Sequence, residues 1–131
     1  MKHLISLVAV IVLMFSSVSF AQEKSDIQVE NIVICISVED RQPVGVDSVF
    51  NADIGKLYCF TKIISPTETA EVSHVWFLGN TQMAKVDLTI GARTWRTWSS
   101  KRILLEWVGD WRVEVQDSSG NVLNEVFFVI K

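Results

Sequence analysis

The C-terminal residues 109–131 place the strongest constraint on the fold of this chain. Apolar and polar side chains alternate from Trp111 to Gln116, which is the period of a strand with one buried face. The turn-forming sequence Asp-Ser-Ser-Gly-Asn follows at 117–121, and a second β-rich run continues to Lys131. The pattern predicts a C-terminal β-hairpin whose apolar face packs against the other strands.

Further β-rich segments lie upstream, separated by turn-forming residues. They are residues 29–38, 56–64, 72–78, 83–90 and 94–100. With the final hairpin they make about seven short strands, and no segment has a helical period. The sequence therefore predicts an all-β fold, an immunoglobulin-like antiparallel β-sandwich formed by one domain over residues 22–131. A small closed barrel is the alternative.

Residues 1–21 have the pattern of a secretory signal peptide. A short basic start is followed by an apolar run over residues 4–15, and Ser19-Phe20-Ala21 resembles a cleavage site. We expect cleavage after Ala21 and a periplasmic or secreted location, without stable membrane insertion afterwards. An uncleaved anchor is the alternative.

Export would make Cys35 and Cys59 candidates for a disulfide bond. Both lie in strand-like runs, and the midpoint between them falls in the turn-rich stretch 40–55. If the two runs are antiparallel neighbours, the cysteines would face each other directly. We predict a Cys35–Cys59 bridge, with two buried free thiols as the alternative.

The charge and the ligand supply argue against several classes of function. The formal net charge is −3, which disfavours nucleic-acid binding. The few His and Cys residues have no zinc-site spacing, so neither a metal nor another cofactor is expected. His74 has no adjacent nucleophile and is interpreted as a hydrogen-bonded structural residue. The sequence therefore predicts a non-enzymatic protein.

The segment 95–101, Trp-Arg-Thr-Trp-Ser-Ser-Lys, contains the candidate binding residues. In a strand, Arg96 and Trp98 share the face opposite to Trp95. An exposed Trp98 beside Arg96 and Lys101 would suit an acidic sugar, and Arg112 would extend this cationic patch if its strand presented the same face. Packing of both tryptophans, and pairing of Arg112 with Glu114 or Glu106, are the alternatives.

Several sequence blocks together resemble the bacterial family known as Domain of Unknown Function 2914. They are residues 41–45 (Arg-Gln-Pro-Val-Gly), 55–63 (Gly-Lys-Leu-Tyr-Cys-Phe-Thr-Lys-Ile), 74–77 (His-Val-Trp-Phe), 95–101 and 109–115 (Gly-Asp-Trp-Arg-Val-Glu-Val). The resemblance implies an envelope-associated β domain and carries no activity or cofactor.

Together these observations predict an exported binding or structural module of the bacterial envelope. Its expected partner is an envelope protein, recognised by protein–protein interaction. The alternative is a carbohydrate-binding module that recognises an acidic envelope or extracellular glycan through Arg96, Trp98 and Lys101.

Overall fold

The computed structural model describes residues 25–131, which form a β protein. The strands are β1 (Gln28–Cys35), β2 (Ser37–Glu39), β3 (Gln42–Val44), β4 (Val49–Phe50), β5 (Lys56–Ile64), β6 (Ala70–Leu78), β7 (Thr81–Ile90), β8 (Thr94–Arg102), β9 (Gly109–Asp117) and β10 (Val122–Ile130). A 3₁₀ turn at Ala52–Ile54 precedes β5. Within residues 25–131, no helix has the length and apolar character needed to span a membrane. The predicted signal peptide, residues 1–21, lies outside the described residues.

Two sheets form the body of the domain. One has the order β1-β5-β8 and the other the order β4-β10-β9-β6-β7, while β2 and β3 form a separate hairpin. The body strands pair antiparallel, except that β4 runs parallel to β10. The all-β sandwich is therefore confirmed, and its immunoglobulin-like detail stays a prediction. The strands beyond the expected seven are the short β2, β3 and β4, which have too few residues to show an alternating pattern.

The core lies between the inner faces of the two sheets. The alternation in β9 is confirmed, because Trp111, Val113 and Val115 are all buried. The Trp111 ring stacks on Phe128 at a centroid distance of 5.8 Å, and Trp76 meets the same phenyl ring edge-on at 6.2 Å. Burying a large apolar side chain of this kind stabilises the fold by about 1.5–3 kcal/mol. These aromatic rings from β6, β9 and β10 form the centre of the larger core cluster.

Asp117 closes the predicted C-terminal hairpin, which is confirmed as β9 and β10. Its Oδ1 accepts hydrogen bonds from the backbone N–H groups of Ser119 and Asn121, each at 2.9 Å. Burial opposes ionisation of this carboxyl group, but the hydrogen bonds from Asn121, Ser25 and Ser119 outweigh it and lower its pKa. The turn is therefore stabilised by the ionised form of Asp117.

The predicted register of the two cysteines is wrong by one residue. Cys35 pairs with Tyr58 in β5, and Cys59 pairs with Ile34 in β1. Directly paired residues share a face of the sheet and successive residues alternate, so the two cysteine side chains point to opposite faces. Both are buried free thiols, and the predicted Cys35–Cys59 bridge is not formed in this structure.

The first predicted strand is buried on both faces only at its end, at Ile34 and Cys35. Ile34 belongs to the core between the sheets. Cys35 lies on the other face and is also fully buried, and it receives backbone hydrogen bonds from Val44 and Ser37 of the β2–β3 hairpin. The strand ends at Cys35, and the chain then enters the β2–β3 hairpin.

Candidate binding surfaces

The four predicted binding residues lie in three different places. Arg96 and Trp98 share the outer face of β8, whereas Lys101 points the other way, with its Nζ 4.7 Å from the centroid of the Trp107 ring. Arg112 is in β9, which belongs to the other sheet. The predicted cationic patch of Arg96, Trp98, Lys101 and Arg112 is therefore wrong, because alternation gives the face of a strand but not the sheet to which it belongs.

Arg96 and Trp98 line a cleft of about 300 Å³ where the edge strands of the two sheets approach each other. We call it the β7–β8 cleft. Its lining is Arg41, Asp87, Leu88, Thr89, Trp95, Arg96, Thr97 and Trp98. The Trp98 ring stacks on Phe60 of β5, with centroids 6.3 Å apart and an interplanar angle of 15°. Both tryptophans of β8 are half-buried, on opposite faces as predicted.

Arg41 belongs to this cleft and was not among the predicted binding residues. It lies with Asp40 in the two-residue turn of the β2–β3 hairpin, where Glu39 pairs with Gln42. Its guanidinium carbon is 5.7 Å from the centroid of the Trp95 ring. The sequence shows Arg41 only as an arginine in a tight turn, and such a residue indicates the end of a strand rather than a binding site.

A second hollow of about 240 Å³ adjoins the cleft. It is lined by Arg41, Lys62, Thr94 and Arg96, so the two arginines border both spaces. Lys62 Nζ lies 3.4 Å from an Oε atom of Glu30. Among residues 25–131, Arg41 and Arg96 form no ion pair with a carboxylate. Positive charge is therefore concentrated at one edge of a chain whose net charge is negative.

Arg112 is fixed on the outer face of the five-stranded sheet. Its Nη1 donates a hydrogen bond of 2.6 Å to the carbonyl oxygen of Gly79, and its guanidinium carbon is 4.0 Å from the centroid of the Phe77 ring. Its Nε is 3.7 Å from Oε1 of Glu114, so Arg112 pairs with one of the two expected glutamates, but along the same strand rather than across strands. These contacts order a cationic side chain before any ligand is present.

Phe127 stands next to Arg112, since the two residues pair across β10 and β9. Its side chain is 62% exposed, although it is a large apolar group. It lines a hollow of about 430 Å³ together with Val49 and Val129, and one of about 130 Å³ together with Arg112. We call the surface formed by Val49, Arg112, Phe127 and Val129 the Phe127 surface. Sequence reasoning missed it because Phe127 lies in a continuous apolar run.

His74 lies between the two sheets in a directional hydrogen-bond chain. The Thr61 hydroxyl donates to the carbonyl oxygen of Thr97 at 2.9 Å, so its oxygen accepts from His74 Nε2 at 3.1 Å. Trp76 Nε1 donates to Ser99 Oγ at 3.1 Å, and the Ser99 hydroxyl donates to His74 Nδ1 at 2.7 Å. The Thr61 contact requires a proton on His74 Nε2, and in the neutral imidazole Nδ1 then accepts the hydrogen bond from the Ser99 hydroxyl.

Burial favours the neutral form of His74. It lowers the pKa of His74 from its ordinary value of 6.5 to about 4. Burial likewise raises the pKa of the Cys59 thiol, with a smaller contribution from Cys35. Among residues 25–131 there is no group of three or more His, Cys, Asp or Glu residues arranged to hold a metal ion. The interpretation of His74 as a hydrogen-bonded structural residue agrees with its burial and contacts.

The chain is similar in sequence to one described family. Residues 69–130, from β6 to β10, match the model of a protein of unknown function (DUF2914). No curated protein matches the sequence.

Two β-glucosidase structures resemble the fold at 10% sequence identity. One is from Kluyveromyces marxianus, with a TM-score of 0.46 over 80% of this chain and 14% of that enzyme. The other is a mutant from Listeria innocua in complex with laminaribiose, with a TM-score of 0.45 over 81% of this chain and 16% of that enzyme. The chain therefore spans less than a fifth of either enzyme.

Proposed function

We propose that this chain, whose residues 69–130 match the model of a protein of unknown function (DUF2914), is a non-enzymatic module that binds another protein. We place it in the bacterial envelope on the basis of the signal peptide expected at residues 1–21. The observation that carries the proposal is the exposure of Phe127 beside the ordered Arg112. We propose the Phe127 surface as the contact surface.

The composition of the Phe127 surface is typical of a protein interface. Aromatic residues and arginine are enriched at interface centres, and an anchor residue that fills a pocket supplies much of the binding free energy. Phe127 has an adjacent apolar hollow, and Arg112 is held by Gly79 and Phe77 in a fixed orientation. Binding would therefore cost little side-chain entropy at the arginine, and it would remove the Phe127 ring from water.

The buried polar groups support a role that does not involve catalysis. His74 and the two thiols are enclosed in the fold, and burial keeps each of them in its neutral form. A base or a nucleophile in such positions would not reach a substrate from solution. The burial of these groups is consistent with the proposal that the domain binds through exposed side chains.

A charge substitution at Phe127 tests the proposal. Affinity capture from an envelope extract should return a protein with the wild type that the Phe127→Asp variant loses. With the purified partner, the loss should be about thirty-fold or more in affinity, which corresponds to an anchor of about 2 kcal/mol. Isothermal titration calorimetry would measure it.

The matched control is Leu105→Asp, which changes an exposed leucine that lines neither hollow beside Phe127. Leu105 is 69% exposed, so its substitution introduces the same charge at a comparable position. The Leu105→Asp variant should capture the same protein as the wild type. If no captured protein distinguishes Phe127→Asp from Leu105→Asp while both variants fold normally, the proposed contact surface is wrong.

A further inference from the structure

We propose that the β7–β8 cleft is a second binding site, separate from the Phe127 surface, whose ligand is a saccharide that carries a carboxylate group. The two arginines that border the cleft, the half-buried tryptophans and the hydroxyl-bearing side chains each contribute to this assignment. The proposal does not depend on the proposed protein interaction, because the two sites share no residue.

The two arginines Arg41 and Arg96 indicate that the ligand is negatively charged. Both border the cleft and the hollow beside it, and within residues 25–131 neither forms an ion pair with a carboxylate. A guanidinium group binds a carboxylate through two parallel hydrogen bonds, which favours a planar anionic group. Lys62 also lines the adjoining hollow, where its charge is paired with Glu30. The ligand of this site is therefore an anion.

The position of Trp98 indicates that the ligand contains a sugar ring. One face of its indole ring stacks on Phe60, and the residue is at the edge of the three-stranded sheet, so the side away from Phe60 borders the cleft. An indole face in this position can stack against the C–H groups of a pyranose ring. The cleft volume of about 300 Å³ is at the lower end of the range for small-molecule sites.

Polar side chains in the cleft suit the hydroxyl groups of a sugar. Thr89 and Thr97 line it, and both can donate and accept hydrogen bonds. Asp87 also lines the cleft, and its Oδ1 accepts a 2.6 Å hydrogen bond from the Ser73 hydroxyl. The carboxylate of Asp87 would accept a hydrogen bond from a sugar hydroxyl. It would also repel a ligand whose anionic group approached from its side, which fixes the orientation of the acid group towards Arg41 and Arg96.

Titration calorimetry with uronic acid trisaccharides tests the assignment. The probes are the trimers of galacturonic, glucuronic and mannuronic acid, each compared with its methyl ester, which has the same ring and no charge. At least one free acid should bind, its methyl ester should bind at least ten-fold more weakly, and the affinity of the acid should fall as salt is added. Absence of binding by all three acids, or equal binding of acid and ester, would overturn the proposal.

Substitutions locate the site. Arg96→Ala and Arg41→Ala should each weaken binding of the acid about ten-fold or more. Arg102→Ala is the control, because Arg102 is an exposed arginine of the same strand that does not line the cleft. Trp98→Phe keeps a ring beside Phe60 and should weaken binding with little change in stability. Equal effects of Arg96→Ala and Arg102→Ala would contradict the location.

An acidic peptide is the competing ligand, because β8 is an edge strand to which an extended peptide could add. A hexaglutamate peptide should bind more weakly than the best uronic acid trimer. Tighter binding of the peptide would overturn the saccharide assignment. Neither outcome changes the test at Phe127, which depends on a different surface.

Discussion

His74 couples the stability of the domain to pH, because the folded protein holds it neutral. Its folded pKa is about 4 and its ordinary value is 6.5. Between these values the unfolded chain binds a proton that the folded chain does not, so stability falls as the pH is lowered from 6.5 to 4. We expect a loss of about 3 kcal/mol over this window, at 1.36 kcal/mol per pKa unit.

Urea denaturation at several pH values would measure this dependence. His74 is the only histidine in residues 22–131, so a His74→Gln variant removes the group that titrates in this range. The variant should be less stable at pH 7 and should depend less on pH between 6.5 and 4. The stability that Asp117 contributes through its lowered pKa is present above its ordinary value of 3.8 and is lost only below that value. Parallel curves for wild type and variant would contradict the neutral assignment of His74.

The two cysteine thiols should be nearly unreactive in the folded protein. Both are free thiols, and burial raises the pKa of each. Because the thiolate is the reactive form, Ellman's reagent should react very slowly with the native protein. After denaturation without reductant, it should report two thiols per chain. A count of zero would show that Cys35 and Cys59 are bridged and that the register of β1 and β5 differs from the one described here.

The turn of the β2–β3 hairpin holds two residues with side chains in a backbone conformation that favours glycine. Asp40 and Arg41 have φ values of 51° and 61°, in the left-handed region. A two-residue turn of this kind favours Asn-Gly, and arginine in this conformation costs about 1–2 kcal/mol. Arg41 nevertheless lies over Trp95 and borders the β7–β8 cleft. We infer that backbone strain is retained there because the guanidinium group binds ligand.

Substitution in this turn separates stability from binding. Arg41→Gly should leave stability unchanged or raise it by about 1 kcal/mol, because relief of strain exceeds the added entropy of the unfolded chain. The same variant should weaken binding of the acidic saccharide. Asp40→Gly relieves less strain, because aspartate tolerates the left-handed region better than arginine, and it should not affect binding, since Asp40 does not line the cleft. Thermal unfolding and calorimetry on both variants would check this. A large loss of stability in Arg41→Gly would contradict the inference.

Long strands could be predicted from the sequence and short ones could not, because only a long strand shows a clear alternation of apolar and polar residues. Strands β5 to β10 have nine or ten residues each, so alternation and flanking turns identify them. The short β4 has no readable period, and its parallel pairing with β10 joins residues far apart in the chain. The binding residues were predictable only within one strand: Arg96 and Trp98 are neighbours on β8, whereas Arg41 reaches them through a separate hairpin.

The hydrogen-bond chain through His74 joins the two sheets of the domain. His74 and Trp76 belong to β6 in the five-stranded sheet, while Thr61 and Ser99 belong to β5 and β8 in the three-stranded sheet. Most contacts between the sheets are apolar and have no directional preference. The polar chain fixes how one sheet sits on the other, because each of its members has a single consistent set of donors and acceptors.

Ser99→Ala tests this link between the sheets. It leaves the Trp76 N–H without an acceptor and His74 Nδ1 without a donor, and each buried unsatisfied group costs about 1–3 kcal/mol. We therefore expect a loss of about 2–5 kcal/mol in the free energy of unfolding. Ser100→Ala, at the exposed next position, should change it by less than about 0.5 kcal/mol. Urea denaturation of both variants measures the difference. If the two substitutions cost the same, the sheets are held together by apolar packing alone.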